Sequence, residues 1–383
     1  MSAAEKLERT GQKVVYLNIG DPQIFGFHPP DEIIDVVQHA LKDRFTGYAH
    51  STGLKEAKLS IAHYASNLGA PTSIDDVIVT SGASEGADLV LTALLNEGDE
   101  VLLPAPGYPI YPAIMTKLGA VPSYYSLDSE NNWQPSVNEI NSLVTKKTRA
   151  IVLINPNNPT GAITPDQTTS QILKLASEHK LLVISDEVYR ELCFGPAPTS
   201  ASVLVPADVP LITLESLSKT HLVPGWRVGW MRFTNADQMR DLIGAVTRLA
   251  SGRLCSPTPS QYAIKPALEG NRDFMSDFVA DLRRRRDFAV SRIAEIDGLS
   301  CTTPEAAFYL MVQAELSEET DEEFVLEMLA QTGVLVVHGS GFGCDPRDGY
   351  FRIVYLANEE VLGLALGNIG KFMEARVQIG GAI

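Results

Sequence analysis

Cysteine is scarce and scattered in this chain. Its 383 residues include four cysteines, Cys193, Cys255, Cys301 and Cys344, and no two of them form a CxxC pair. Zinc sites and disulfide frameworks both need cysteines at close, regular spacings. We therefore expect neither a metal centre nor a disulfide-stabilised fold, and reduced thiols fit a cytoplasmic protein.

The chain also lacks an excess of positive charge and long apolar runs. It has 31 Lys and Arg against 47 Asp and Glu, a formal net charge of −16. This balance argues against nucleic acid or an anionic membrane as the main partner, although basic groups can still converge on a small anion. No apolar run is long enough to span a bilayer, and residues 1–9 lack the apolar core of a signal peptide.

Composition indicates a globular protein with more than one domain. Hydrophobic residues make up 45% and charged residues 20% of the chain, which argues against wholesale disorder. A chain of this length is expected to form about two domains. We place an N-terminal arm and part of a small domain in residues 1–45, a large domain in 46–270, and the rest of the small domain in 271–383.

The middle of the chain alternates between strand and helix patterns. Apolar runs of strand length recur at 77–80, 101–103, 121–125, 150–154, 181–185, 211–214 and 228–233. Helical patterns lie between several of them, at 85–95, 111–118, 135–144 and 165–179. This alternation predicts an α/β fold with a mostly parallel, seven-stranded sheet, whose ligands bind beyond the carboxyl ends of the strands.

The two ends of the chain have a different pattern. Residues 30–41, with Asp31 as a plausible cap, are predicted to form a helix. In the last third, short strands at 308–312, 334–337 and 350–354 are separated by acidic helices. This pattern predicts a smaller α+β domain, which the N-terminal segment could complete.

Small and polar residues follow the strand run at 77–80. The stretch Ser81-Gly82-Ala83-Ser84-Glu85 leads into a helical pattern. Backbone N–H groups at the positive end of that helix could face an anion. Taken alone, a tight turn with Ser84 as the helix N-cap is the simpler interpretation.

Two turns rich in Pro and Gly follow later strand runs. Residues 106–109 display Tyr108, which could stack on a flat ring or be an ordinary surface or core tyrosine. Residues 155–161 read Asn-Pro-Asn-Asn-Pro-Thr-Gly. They could orient an amide side chain outward or be a turn chosen for stiffness, but the full string is far rarer than a generic turn.

Charged side chains beside apolar strands require partners. Asp186 directly follows the run 181–185. A buried carboxylate there needs a cationic partner, and a pyridinium N–H would be one. Tyr189 could then reach an adjacent hydroxyl group on the same ring. Metal binding is the alternative, but the nearest histidine, His179, precedes the strand. Arg352, inside another apolar strand, is either paired structurally or held for a carboxylate ligand.

A lysine with hydroxyls before it and an arginine after it follows the run 211–214. Lys219 could form an imine with a carbonyl compound, while Ser216, Ser218 and Arg227 bind a phosphate group. A sugar-phosphate aldolase could share this stretch. Asp186, Asn158 and Tyr108 favour a site for a pyridine cofactor over the site of an aldolase.

From about Val14 to the C-terminus, these motifs in this order resemble the class I/II aminotransferases, enzymes of fold type I that depend on pyridoxal 5′-phosphate (PLP). The resemblance implies that residues 46–270 form a PLP-binding domain. Lys219 would hold PLP as an imine and then carry a proton, and Asp186 would pair with the pyridine nitrogen. Tyr108 would stack on the ring, and Asn158 and Tyr189 would bind its phenolic oxygen.

The resemblance also implies the phosphate and substrate contacts. The phosphate would be held by Gly82, Ala83, Ser84, Ser216, Ser218 and Arg227. Arg352 would grip the substrate α-carboxylate beside Asn158, with Ile19 and Gly20 closing over the substrate. Tyr48 matches a tyrosine that reaches the phosphate of a neighbouring subunit, so an obligate homodimer is implied.

Residues 17–27 and 248–255 are similar to the prokaryotic glutamate–pyruvate (alanine) aminotransferase branch. The implied reaction is ping-pong transfer between L-alanine and 2-oxoglutarate, giving pyruvate and L-glutamate. An aromatic or aspartate-type aminotransferase is the alternative, followed by a PLP carbon–sulfur lyase. Arg253 could read the distal carboxylate of glutamate or 2-oxoglutarate across the dimer, or be a paired helix-end arginine.

Overall fold

The computed structural model describes residues 2–380, and the side chains of residues 3–376. The strands are β1 (Val15–Tyr16), β2 (Val77–Thr80), β3 (Glu100–Ala105), β4 (Val121–Asp128), β5 (Gln134–Pro135), β6 (Thr148–Ile154), β7 (Leu182–Asp186), β8 (Leu211–Ser216), β9 (Gly229–Thr234), β10 (Leu299–Cys301), β11 (Tyr309–Ala314), β12 (Val334–Leu335), β13 (Val337–His338) and β14 (Tyr350–Val354).

The α-helices alternate with these strands in the first two thirds of the chain. They are α1 (Ser2–Arg9), α2 (Asp31–Lys42), α3 (Lys55–Asn67), α4 (Ala83–Leu94), α5 (Ile110–Leu118), α6 (Val137–Leu143), α7 (Asp166–His179), α8 (Ala201–Leu204), α9 (Leu217–Thr220), α10 (Arg240–Gly252), α11 (Thr258–Gln261), α12 (Ile264–Glu269), α13 (Asp273–Ile293), α14 (Asp321–Thr332) and α15 (Glu359–Gly380). No helix within residues 2–380 combines the length and apolarity needed to cross a membrane.

The large sheet has the strand order β2-β9-β8-β7-β6-β3-β4-β5. Neighbours from β8 to β4 are parallel, whereas β9 runs antiparallel to both β2 and β8. All seven predicted runs lie in this sheet, which confirms the α/β prediction. An eighth strand, β5, pairs antiparallel with β4 at the edge; two residues are too few for a periodic pattern to indicate it.

Helices cover the central strands of the large sheet on both faces. Every residue of β7 and β8 is buried, and α4, α5 and α10 cover one face while α6 and α7 cover the other. A side chain such as Ile184 or Ile212, fully removed from water, contributes about 1.5–3 kcal/mol. The sheet is therefore a rigid base, and its strand ends hold whatever follows them in fixed positions.

The end of the chain forms a second, antiparallel sheet of order β10-β11-β14-β13. Helices α13, α14 and α15 pack against it around Phe308, Phe324 and Phe351. The N-terminal segment joins this part of the molecule, because β1 pairs with β12 through Val15 and Val334. The division at residues 45 and 270 stays a prediction, and Met1 and residues 381–383 lie outside the described residues.

Two local predictions were wrong. The run 334–337 is not one strand, because β12 pairs with β1 whereas β13 pairs with β14, so the chain passes from one pairing to another. Asp31 is not the cap of α2, because Pro30 occupies the N-cap position and makes no side-chain bond. Asp31 instead lies in the first turn, where its charge favours the helix dipole.

A buried ion pair joins β8 to β9. The Arg232 side chain is 0% exposed, and its Nε lies 2.6 Å from Glu215 Oε2. The indole Nε1 of Trp230 donates to the same oxygen at 2.9 Å. Glu215 thus depends on Arg232 for charge compensation inside the protein.

We predict that Arg232→Met lowers the free energy of unfolding by about 3–5 kcal/mol, because it leaves the buried Glu215 carboxylate uncompensated. The matched control is Arg284→Met, since Arg284 forms an exposed ion pair with Glu359. That control should change stability by less than about 1 kcal/mol. Denaturant unfolding followed by circular dichroism measures both, and equal shifts for the two variants would contradict the prediction.

Candidate active site

A cleft opens at the carboxyl ends of β6, β7 and β8. It is lined by Ala83, Ser84, Ala87, Tyr108, Ile110, Tyr111, Ile154, Asn158, Asp186, Val188, Tyr189, Ser216, Ser218, Lys219, Pro224 and Arg227. Ten of these residues were singled out from the sequence. The parallel register explains the convergence, since Asp186 is paired with Ile154 on one side and Leu214 on the other.

Asp186 is a buried carboxylate at the end of β7. Burial raises the pKa of its carboxyl group to about 6, although the hydroxyl of Tyr111, donating to Oδ2 at 2.8 Å, opposes that rise. Within residues 3–376, Asp186 forms no ion pair. A buried carboxylate of this kind can accept a hydrogen bond from a cationic N–H group brought by a ligand.

Lys219 lies in the short helix α9, where the strand β8 ends. Its amine is partly buried, and Nζ donates to the backbone oxygen of Gly20 at 2.7 Å. Burial lowers the pKa of this amine to about 8; the charges of Arg352 and Arg227 also lower it, and that of Asp21 raises it. A larger share of the amine is therefore unprotonated near neutral pH than in an ordinary lysine.

Two serines shape the backbone around Lys219. The Oγ of Ser216 accepts from the backbone N–H of Ser218 at 2.8 Å and donates to Ser218 Oγ at 2.7 Å. This N-cap bond starts α9 directly after β8. Both hydroxyls consequently line the cleft beside the lysine.

The start of α4 and Arg227 also line the cleft, and together they form a candidate anion site, the anion cradle. The N-cap of α4 is Gly82, with φ +81° and no capping side chain, so the interpretation of Ser84 as N-cap was wrong. The first N–H groups of α4, at Ala83 and Ser84, lie where the helix dipole is positive. Arg227 closes the cradle, and its Nη2 donates to Ser81 O at 3.2 Å.

Gly82 has a steric role in this cradle, although it does not line the cleft itself. A Cβ at this position would come within 2.4 Å of Arg227 Nη2. Its positive φ is also a conformation that other residues rarely adopt. The turn therefore needs glycine for the backbone and the guanidinium to approach each other.

Arg352 lies at the edge of the cleft on β14. Its Nη1 donates to Asn158 Oδ1 at 3.0 Å, and its Nη2 donates to the backbone oxygen of Asn18 at 2.8 Å. The guanidinium is stacked between the rings of Tyr309 and Phe342, with centroids at 4.5 and 4.6 Å. Arg352 is buried and has no carboxylate partner within residues 3–376, which favours the ligand-binding interpretation over structural pairing.

Two tyrosines of this site were missed in the sequence. Tyr111, whose hydroxyl reaches Asp186, lies in the first turn of α5, three positions after Tyr108. Its nearness to Tyr108 in the chain was the one available signal, and it does not indicate the contact with Asp186. The hydroxyl of Tyr309 lies 2.7 Å from that of Tyr189, and a Cβ at Gly20 would come within 2.5 Å of it. Tyr309 begins an apolar strand, and nothing in that sequence pattern indicates a functional residue.

Six of the singled-out residues do not line this cleft: Gly82, Gly20 and Arg352, described above, and Ile19, Tyr48 and Arg253. Ile19 is 43% exposed next to Gly20, and Tyr48 is 81% exposed, so contact between Tyr48 and a neighbouring subunit stays a prediction. Arg253 ends α10, and its Nε lies 2.8 Å from Glu85 Oε1. Its assignment to a substrate carboxylate also stays a prediction.

Comparison with known proteins identifies similar chains over nearly the whole length. Residues 12–367 match the family model for aminotransferase class I and II. A glutamate–pyruvate aminotransferase of Haemophilus influenzae is 36% identical, covering 97% of this chain and 93% of that protein. An alanine aminotransferase of Mycobacterium tuberculosis is 35% identical, with coverages of 97% and 88%. The solved structure of an alanine aminotransferase from Pyrococcus furiosus superposes with a TM-score of 0.95 at 39% identity, covering 98% and 95%.

We predict that Lys219 reacts with an amine-directed acylating reagent with a half-maximal rate near pH 8. Only the unprotonated amine reacts, so an ordinary lysine reaches half-maximum near about pH 10.4. Mass spectrometry of digested, ligand-free protein measures the rate at each lysine, and the exposed lysines are the internal control.

The variant Asp21→Asn sharpens this test, because the Asp21 charge raises the pKa of Lys219. Its half-maximum should move to lower pH, since the protonated amine loses a favourable charge. A Lys219 profile that coincides with those of the exposed lysines would contradict the burial effect.

Proposed function

We propose that this chain, which belongs to the class I and II aminotransferases, transfers an amino group between L-alanine and 2-oxoglutarate, giving pyruvate and L-glutamate. The chain is a transaminase, and its substrates are amino acids and 2-oxo acids. The observation that carries the choice of alanine is full-length similarity to relatives named for alanine or for glutamate and pyruvate.

We infer that pyridoxal 5′-phosphate is the cofactor, because the cleft fits it at both ends. Asp186, which forms no ion pair within residues 3–376, suits a protonated ring nitrogen, and Tyr108, which lines the same cleft, would stack on the ring. At the opposite end, Ser216, Ser218 and Arg227 together with the start of α4 suit a phosphate group. Lys219 lies between these ends and supplies the amine that a carbonyl cofactor requires.

When bound, PLP supplies the carbonyl group that accepts the amino group and the ring that accepts electrons from the substrate. Asp186 would pair with the ring nitrogen and keep it protonated. Lys219 Nζ takes a proton from the substrate Cα and returns it, and a pKa of about 8 lets this amine exchange protons near neutral pH. Asn158 and Tyr189 would hydrogen-bond the phenolic oxygen of the ring.

Arg352 binds the substrate α-carboxylate. Its guanidinium is held before any ligand arrives, by Asn158 Oδ1, by the backbone oxygen of Asn18 and by two aromatic rings. Because this side chain is already ordered and desolvated, little entropy is lost when a carboxylate pairs with it. The contact fixes the substrate amino group toward Lys219.

The active unit is a homodimer in this proposal. Tyr48 is exposed and lies outside the cleft of its own chain, as expected for a side chain that reaches a second copy. Exposed apolar residues nearby, such as Leu41 and Phe45, suit the same interface. The cytoplasmic location stays a prediction based on the four reduced cysteines.

We predict that alanine and glutamate each convert bound PLP to its amine form in a single turnover, and that aromatic amino acids react poorly. Stopped-flow absorbance of the cofactor measures this half-reaction for a panel of amino acids. Fast conversion by tyrosine or aspartate, with alanine inert, would favour the aromatic or aspartate-type alternative. Thiol release without the amine form would favour a lyase.

The control for the cofactor itself is Lys219→Ala. This variant should lose the absorbance band of the lysine-bound cofactor and nearly all turnover, because among the described residues Lys219 is the one lysine that lines the cleft. Wild-type protein that takes up no PLP would contradict the proposed function.

A further inference from the structure

The guanidinium of Arg253 is engaged by three groups of its own chain. Nε lies 2.8 Å from Glu85 Oε1, Nη1 donates to Ser51 O at 3.2 Å, and Nη2 donates to Val79 O at 2.9 Å. The side chain is 18% exposed. Nη1 and Nη2 each donate to a backbone oxygen, and within residues 3–376 Nε makes no hydrogen bond but is ion-paired with Glu85. The charge of this arginine is therefore already paired within its own chain.

Two of these acceptors flank the turn that begins the anion cradle. Val79 lies on β2, two residues before Ser81, and Glu85 lies in the first turn of α4. The second oxygen of Glu85 accepts from the backbone N–H of Ser81 at 2.6 Å. Glu85 therefore connects the two ends of the turn, and Arg253 holds Glu85 against the strand.

Glu85 also presents an electrostatic problem at this place. Its carboxylate stands in the same helical turn whose N–H groups, at Ala83 and Ser84, face the cradle. An uncompensated negative charge there repels an anion, and the effect is strong because Glu85 is only 21% exposed. The Arg253 charge, at 2.8 Å, compensates it.

We propose that Arg253 is a positioning residue for the phosphate group: it neutralises Glu85 and holds it in place at the turn 81–84. This inference rests on the proposed PLP cofactor. It replaces the idea that Arg253 reads the distal carboxylate of glutamate. Arg253 touches neither substrate nor cofactor and acts through Glu85.

The test compares the affinities of cofactor-free protein for PLP and for pyridoxal, which has the same ring and aldehyde but no phosphate. Arg253→Ala should weaken PLP binding about tenfold, because it leaves the Glu85 charge beside the phosphate site without its partner. Interaction energies between contacting residues are of this size. Its affinity for pyridoxal should stay within about twofold of wild type, because the ring contacts are unchanged. Absorbance titration measures both, and equal losses for the two ligands would overturn the proposal.

A second variant tests whether Arg253 acts through the Glu85 charge. Glu85→Gln removes that charge and keeps a side-chain oxygen for the Ser81 N–H group. The double variant Arg253→Ala/Glu85→Gln should regain most of the PLP affinity that Arg253→Ala loses. A double variant that binds PLP no better than Arg253→Ala would overturn the proposal, because a purely mechanical role of Arg253 predicts no rescue.

The matched control is Arg248→Ala. Arg248 is exposed on the same helix, α10, so the variant loses an equal charge without disturbing Glu85. Its PLP affinity should equal that of wild type.

If Arg253→Ala does not fold, as judged by circular dichroism, Arg253→Lys takes its place. The lysine variant keeps a charge near Glu85 and should retain PLP affinity within about threefold.

Substrate selectivity separates this proposal from its rival. The ratio of glutamate to alanine turnover should be the same in Arg253→Ala as in wild type. Unchanged PLP affinity with a selective loss of glutamate turnover would overturn the proposal in favour of distal-carboxylate binding. If wild-type protein binds no PLP, the proposed function fails instead, so the two failures are distinguishable.

Discussion

The candidate site depends on one buried carboxylate that has no cation within the described chain. Asp186 stands at the end of β7, between two parallel neighbours in a sheet covered on both faces. Such a group is costly to bury alone, and within residues 3–376 its hydrogen-bond donors are the hydroxyl of Tyr111 and the N–H of Val188. The cleft is therefore organised to receive a positively charged ring, and the aromatic, hydroxyl and amine groups surround the place where that ring would lie.

The basic groups of the site stand out against an acidic protein. The chain has a net charge of −16, yet Lys219, Arg227 and Arg352 converge around one cleft, where their charges lower the pKa of the lysine in addition to burial. This local field suits ligands with a phosphate at one end and a carboxylate at the other. An acidic chain, whose net charge argues against nucleic acid and anionic membranes as main partners, can therefore still bind small anions.

Indirect contacts hold these groups in place. Arg352 is stacked between two rings and bonded to Asn158, and Tyr309 joins Arg352 to Tyr189. On the opposite side, Glu85 connects the two ends of the turn that begins α4. Function in such a site requires both the groups that touch a ligand and the surrounding residues that fix their geometry.

The sequence by itself determined the α/β architecture and most of the cleft, because a buried strand and the polar residue after it are adjacent in the chain. Asp186, Lys219 and the 155–161 turn were found for this reason. Only the tertiary structure decided which distant residues meet: Tyr309 with Tyr189, Tyr111 with Asp186, and Arg253 with Glu85. These pairs are separated by 120, 75 and 168 positions, and no local spacing or periodicity records a contact that arises from packing alone.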